Sequence, residues 1–289
     1  MFVHLHCHTD RSVGRSLIKP SRLVERVLEL GGSAACVTDN GTLSGVIQLY
    51  NACKKTGVKP IFGMEVNVAQ DKSLKQQQSS TLVLLAKNSV GLSNLTKLAT
   101  IGSMYFYYHP RVDMAALAKF NEGIICLTSD IKGWAAARFF AAGMNGIATC
   151  YAELSELYGD NLYWEVQPSQ TESQRVYNAA LLTEAKTNDA IKLVATVDPH
   201  YATVSDRDFF ERYLAAKNSR NPYWEFPFRG DRHIMSEDEV CAAFDLLHGD
   251  GYFVNSVELQ EAVWRTGEVA NVVESFDLRQ GTKVPSFKE

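Results

Sequence analysis

The sequence predicts one α/β domain, a seven-stranded parallel sheet closed into a (β/α) barrel, and three observations carry that prediction. Short apolar segments alternate with amphipathic helical ones from Phe2 to Val197. Most of those segments are continuously apolar instead of alternating, as strands buried on both faces are. A chain of 289 residues can bury one such core without splitting into two domains.

Residues 2–8 read as the first strand. Strand side chains alternate between faces, so His4, His6 and His8 are expected on one face and Leu5 and Cys7 on the other. A His-x-His pair on a strand can offer two imidazoles to one metal ion. After a polar stretch over 9–19, Pro20-Ser21 opens a helix whose Leu23, Val24, Val27 and Leu28 make an apolar stripe, and Gly31-Gly32 ends it. Residues 34–38 form the second strand and lead into the turn Asp39-Asn40-Gly41. The next helix carries Val46, Leu49, Tyr50 and Cys53 and stops near Gly57. Five more strands are expected at 59–66, 81–86, 123–128, 162–166 and 192–197, with helices around 92–99, 133–142 and 172–187.

Such barrels gather ligands at the C-terminal ends of their strands. That rule singles out His6 and His8, Asp39 and Asn40, Glu65, Asp130, and Asp198 with His200. Residues 70–80 are polar and read as an exposed loop, and the aromatic run at 105–108 reads as packing. Past His200 the pattern turns helical, with an aromatic stretch at 221–228 whose Tyr223, Trp224, Phe226 and Phe228 are expected either to form an apolar contact patch or to seal the barrel as a cover. The division expected is a single domain over 1–289, with the barrel and its loops in 1–201 and a helical extension in 202–289.

A net charge of −4 excludes a wholly basic surface but not a local basic patch. The six cysteines are scattered without a Cys-x-x-Cys pair, so reduced thiols in a cytoplasmic protein are expected. No signal peptide and no membrane-spanning run is expected.

Six blocks carry a family resemblance: FVHLHCHT (2–9), VTDNGTLSG (37–45), KPIFGME (59–65), YHPRVD (108–113), VATVDPHY (194–201) and HIMSEDE (233–239). They resemble the PHP (polymerase and histidinol phosphatase) domain, in the variant at the N-terminus of the bacterial-type C-family replicative polymerases, the DNA polymerase III alpha subunits. The resemblance implies a distorted, TIM-like (β/α)7 barrel whose cleft holds up to three metal ions and hydrolyses phosphoesters. Carried over residue by residue, the first ion would be held by His6, His8, Glu65 and Asp198. A second would share Glu65 and add Thr81, where the family has His, and Asp130, where it often has Cys or His. A third would use Arg15, where polymerase members with an intact site have Asp, Asn40, where they have His, and His200, which is kept.

Arg15, Asn40 and Thr81 are thus degenerate metal positions. Neutral Asn and Thr ligate zinc poorly, and a guanidinium repels a cation while pairing well with carboxylates. The expectation is one zinc or manganese ion at most, with Arg15 bonding Asp39, Asp198 or a phosphate. The implied function is a largely non-catalytic structural and partner-docking module. Its partners would be the polymerase core of the same or a longer chain, a proofreading exonuclease subunit and, indirectly, DNA. The alternative is an active metal-dependent phosphoesterase or 3′–5′ exonuclease using Asp130 and His200. Polymerisation itself is not expected, because no paired carboxylates on a palm-like sheet follow residue 201.

Overall fold

Side chains of the sheet sort into two apolar clusters by parity. Cys36, Ile61, Val83, Leu85, Ile125, Leu127, Tyr163 and Val194 point inward to one cluster, while their neighbours Val37, Phe62, Leu84, Cys126, Trp164 and Ala195 point outward to the helices. The structure, a computed structural model, describes residues 1–75, 79–219 and 230–278. Among these, the sheet comprises β1 (Ala34–Asn40), β2 (Lys59–Val68), β3 (Ser80–Ala86), β4 (Arg111–Val112), β5 (Ile124–Leu127), β6 (Leu162–Val166) and β7 (Leu193–Ala195). Its order is β1-β2-β3-β5-β6-β7, with β4 beside the end of β2. Outside it lie α1 (Pro20–Glu29), α2 (Val46–Thr56), α3 (Ser89–Met104), α4 (Met114–Lys119), α5 (Trp134–Ala142), α6 (Met144–Tyr158) and α7 (Glu172–Ala185). Then follow α8 (Arg207–Lys217), α9 (Glu237–His248), α10 (Tyr252–Asn255) and α11 (Val257–Val272). This is a distorted, TIM-like α/β barrel with an open sheet.

The sheet departs from the expected all-parallel barrel in two places. β3 runs antiparallel to both β2 and β5. Only residues 69–79 join β2 to β3, with no helix described among them, and a parallel return needs a longer crossover, usually helical. A consequence is that the start of β3, where Thr81 sits, lies beside the end of β2, where Glu65 sits.

The second departure is at the first segment: residues 2–8 are extended but form no strand. Their N–H groups are taken by side chains instead of a neighbour's carbonyls. Val3 N–H donates to Thr266 Oγ1 at 2.9 Å and Cys7 N–H to Thr38 Oγ1 at 2.8 Å, while Cys7 O accepts from the Thr38 amide. A bend at His6 then breaks the alternation, so Val3 and Leu5 join the inner cluster and Cys7 the outer one. The expectation that His4 shares a face with His6 and His8 fails for that reason.

His4 instead packs edge-on against Phe2, with its Nε2 2.8 Å from the carbonyl oxygen of Met235. Burial outweighs that bond and pushes the imidazole down to about 4. Between about 6.5 and 4 the unfolded chain therefore binds a proton that the folded chain refuses, so stability falls as pH falls through this window. The expected loss is roughly 3 kcal/mol. Urea denaturation at several pH values should show it in the wild type and show a flatter profile in His4→Gln, whose amide can still reach Met235. Parallel profiles would refute it.

The barrel floor is supplied by α11. Val269, Ala270 and Val273 complete the inner cluster, so the barrel and the C-terminal helices share one core. The aromatic stretch expected as a contact patch or a cover, 223–228, lies outside the described residues.

Candidate metal centre

At the mouth of the barrel the inward positions turn from apolar to ligating. On β2 the inward series Ile61, Gly63 continues to Glu65, and beyond β7 the series Val194, Thr196 continues to Asp198. The bend at His6 sets both His6 and His8 over the same opening. The result is a buried group in which ligand atoms of His6, His8 and Asp198 all lie within 4.8 Å of one another. Glu65 joins from the side: its Oε2 stands 3.3 Å from His6 Nε2 and 3.2 Å from His8 Nε2. Asp198 Oδ1 lies 3.4 Å from His8 Nε2 and makes no hydrogen bond although it is buried. Its backbone takes the left-handed φ of 54°, a cost tolerated where a side chain must be aimed.

The hydrogen bonds behind the imidazoles fix which nitrogens face this opening. Ser12 Oγ–H donates to Asp39 Oδ1 at 2.7 Å, so its 3.0 Å contact with His8 Nδ1 requires the ring N–H to be the donor. His6 Nδ1 lies 2.7 Å from Glu165 Oε1, a carboxylate that only accepts. When neutral, both rings therefore turn an Nε2 lone pair toward Glu65 and Asp198. Two imidazole lone pairs and a buried carboxylate oxygen without a hydrogen bond are a donor set that fits a divalent cation.

Electrostatics keep the two carboxyls of that donor set ionised, whereas His6 would have to give up a proton to an incoming ion. Burial alone would raise the carboxyls of Glu65 and Asp198. Arg15 and the histidines outweigh it for Glu65, and His200, His6 and His8 outweigh it for Asp198, so both stay well below the usual carboxylate range. Burial opposes protonation of His6, but the charges of Glu165 and Asp198 lift its imidazole well above the ordinary value. His200, stacked between His8 and Phe210 with Nε2 3.2 Å from Asp198 Oδ2, is pushed down by burial to about 4.

The three degenerate positions are filled by polar groups. Arg15 Nη1 donates to Glu65 Oε1 at 2.8 Å, and the Asn40 amide donates to the same oxygen. Arg15 was expected on Asp39, Asp198 or a phosphate. Asp39 is already held by the Thr9 amide, the Thr9 hydroxyl and Ser12, each at 2.7 Å. Thr81 Oγ1 pairs with Ser129 Oγ at 2.8 Å. Asp130 Oδ1 accepts the backbone N–H of Lys132 at 2.8 Å, and burial raises its carboxyl. Among the described residues, Asp130, His200 and Glu65 stand outside the three-residue group.

Glu165, Ser12, Gln167, Thr196 and Arg232 surround the ligands and escaped the sequence reading. One signal was there: Glu165 is the single charge in the otherwise apolar strand Leu162–Val166, and a buried charge demands partners.

A family model described as PHP domain matches residues 4–169. A DNA polymerase III subunit alpha from Aquifex aeolicus is 36% identical over 221 residues, covering 71% of this chain and 19% of that protein. One from Borreliella burgdorferi is 29% identical over 298 residues, covering 99% of this chain and 25% of that protein. The chain thus spans a fifth to a quarter of the length of these relatives. Among solved structures, an amidohydrolase from Chromobacterium violaceum with bound sulfate and no metal is similar at 11% identity and a TM-score of 0.47, covering 70% of this chain and 88% of that one. Among the described residues no helix is long and apolar enough to cross a membrane.

Proposed function

This chain belongs to the PHP domain family, and from that premise we propose that it is a largely non-catalytic module of a DNA polymerase III alpha-type protein, keeping one divalent ion as a structural clamp. The observation that carries this reading is Glu65 Oε1, which receives both Arg15 and Asn40 where an intact site would offer that oxygen to further cations. A guanidinium next to a would-be shared ligand repels a second ion and neutralises the carboxylate at every accessible pH. Multi-metal hydrolysis needs one ion to activate water and another to stabilise developing charge, so loss of those positions removes most of the rate. His6, His8 and Asp198 would hold the remaining zinc or manganese ion, with Glu65 beside them. That ion would supply positive charge among carboxylates and, where a substrate reached it, Lewis acidity.

The partners in this reading are a polymerase core, a proofreading exonuclease subunit and, through them, DNA, in the cytoplasm. The alternative of an active phosphoesterase or 3′–5′ exonuclease draws on the intact His6, His8, Asp198 group and on Asp130 and His200 near it.

Metal analysis of the purified chain after incubation with zinc or manganese should give one ion per chain. Single-stranded DNA and a chromogenic phosphoester should remain intact with either metal. Two or more ions together with degradation of DNA would overturn the reading in favour of the alternative.

A further inference from the structure

Glu165 is fully buried on the inward face of β6, one turn of the pleat above Tyr163. Its Oε1 accepts from three donors: His6 Nδ1 at 2.7 Å, Gln167 Nε2 at 2.8 Å and the Thr196 hydroxyl. Its Oε2 is buried and makes no hydrogen bond. For mere packing this is an expensive choice, because a buried carboxylate oxygen without a partner costs more than an amide or an apolar group of the same size. A carboxylate differs from an amide at this place in two ways: it carries a negative charge and it cannot donate.

We infer that Glu165 is the positioning residue of the metal centre: it pins the His6 proton on Nδ1 and fixes the ring plane so that Nε2 faces His8 and Asp198 with a lone pair. The inference rests on the one-ion reading above and adds the group that decides the quality of its first ligand. A glutamine at this place could turn its NH2 toward Nδ1 and stabilise the opposite tautomer, whose Nε2–H cannot ligate. The contrast with His8 sharpens the point. His8 is held at Nδ1 by a neutral hydroxyl, Ser12, whereas His6 has an anion, which raises ligand basicity more.

The support does not stop at Glu165. Gln167 turns its amide N–H to Glu165 and its Oε1 to Arg232 Nη1 at 3.1 Å, and the same guanidinium donates to the carbonyl of Val197 at 2.7 Å. Arg232 stands 3.8 Å from Asp198 Oδ2. A buried chain of three side chains, Glu165, Gln167 and Arg232, thus joins the back of His6 to Asp198, so the two ligands are held in register from outside the ion's own position.

Zinc titration and ring-nitrogen NMR on the 289-residue chain test this. In the wild type, His6 should keep its Nδ1-bound proton into the alkaline range, with and without zinc. Glu165→Gln should lose that proton as the ring becomes neutral, and should weaken zinc binding by about 10–100-fold, whereas Ser12→Ala weakens it less. A Glu165→Gln chain that folds, keeps the Nδ1 proton and binds zinc within threefold of wild type would overturn the inference. Should Glu165→Gln fail to fold, the wild-type spectrum decides alone: a neutral His6 carrying its proton on Nε2 overturns it. A wild type that binds no zinc would sink the one-ion reading, while the tautomer of metal-free His6 would still decide for or against Glu165.

Discussion

The triple variant Arg15→Asp, Asn40→His, Thr81→His is expected to take up more divalent ions per chain than the single ion proposed for the wild type, and to be the less stable protein without metal. Arg15 and Asn40 now satisfy Glu65 Oε1, and Thr81 faces Ser129 across the start of β3. Aspartate at position 15 removes the guanidinium and adds a second carboxylate near Glu65, which is only about 5% exposed. Breaking a buried pair in this way costs several kcal/mol. Because Arg15 itself is about one-third exposed, the expected cost in chelator is about 1–3 kcal/mol. Added zinc or manganese should restore it, since an ion that binds only the folded state stabilises that state. Denaturation in chelator and in metal, beside a metal count, reads both effects. Unchanged stoichiometry with unchanged metal-free stability would mean that Arg15 and Asn40 are not what keeps further ions out.

Asp198→Asn is expected to abolish the uptake of the one ion proposed for this site. It deletes one of the three groups that converge at the mouth, and the expected loss of zinc affinity exceeds the roughly hundredfold cost of losing a group behind a ligand. The substitution isolates the ligand, because asparagine is among the few side chains that tolerate the left-handed backbone found at this position. Its fold should therefore stay intact by circular dichroism. Retention of one tightly held zinc ion in Asp198→Asn would show that the ion sits elsewhere.

Much of this architecture was legible in the sequence because the physics that sets it is local. Continuously apolar segments located β1, β2, β3, β5, β6 and β7, and strand-end positions picked out the residues that meet at the mouth. The reversal of β3 was missed, although the stretch after Val68 has no helical pattern to carry a parallel crossover. The bend at His6 was not legible. Alternation assumes a regular strand, and here the amides of Val3 and Cys7 take Thr266 and Thr38 as partners from distant parts of the chain. Arg15's choice of Glu65 was hidden for a related reason. Thr9 and Ser12 had already claimed Asp39, and no spacing rule reports which acceptors are taken.

His8 and Asp198 are neighbours in space and about 190 residues apart along the chain. An ion gripped by His6, His8 and Asp198 would therefore be a cross-link in the topological sense, closing most of the chain into one loop that persists for as long as the grip does. On the chain-entropy account used for disulfides, a loop of that size removes about 5 kcal/mol of freedom from the unfolded ensemble. A single zinc here would then shift the folding equilibrium mainly by constraining the unfolded ensemble, acting on the part of the energy landscape in which no barrel exists.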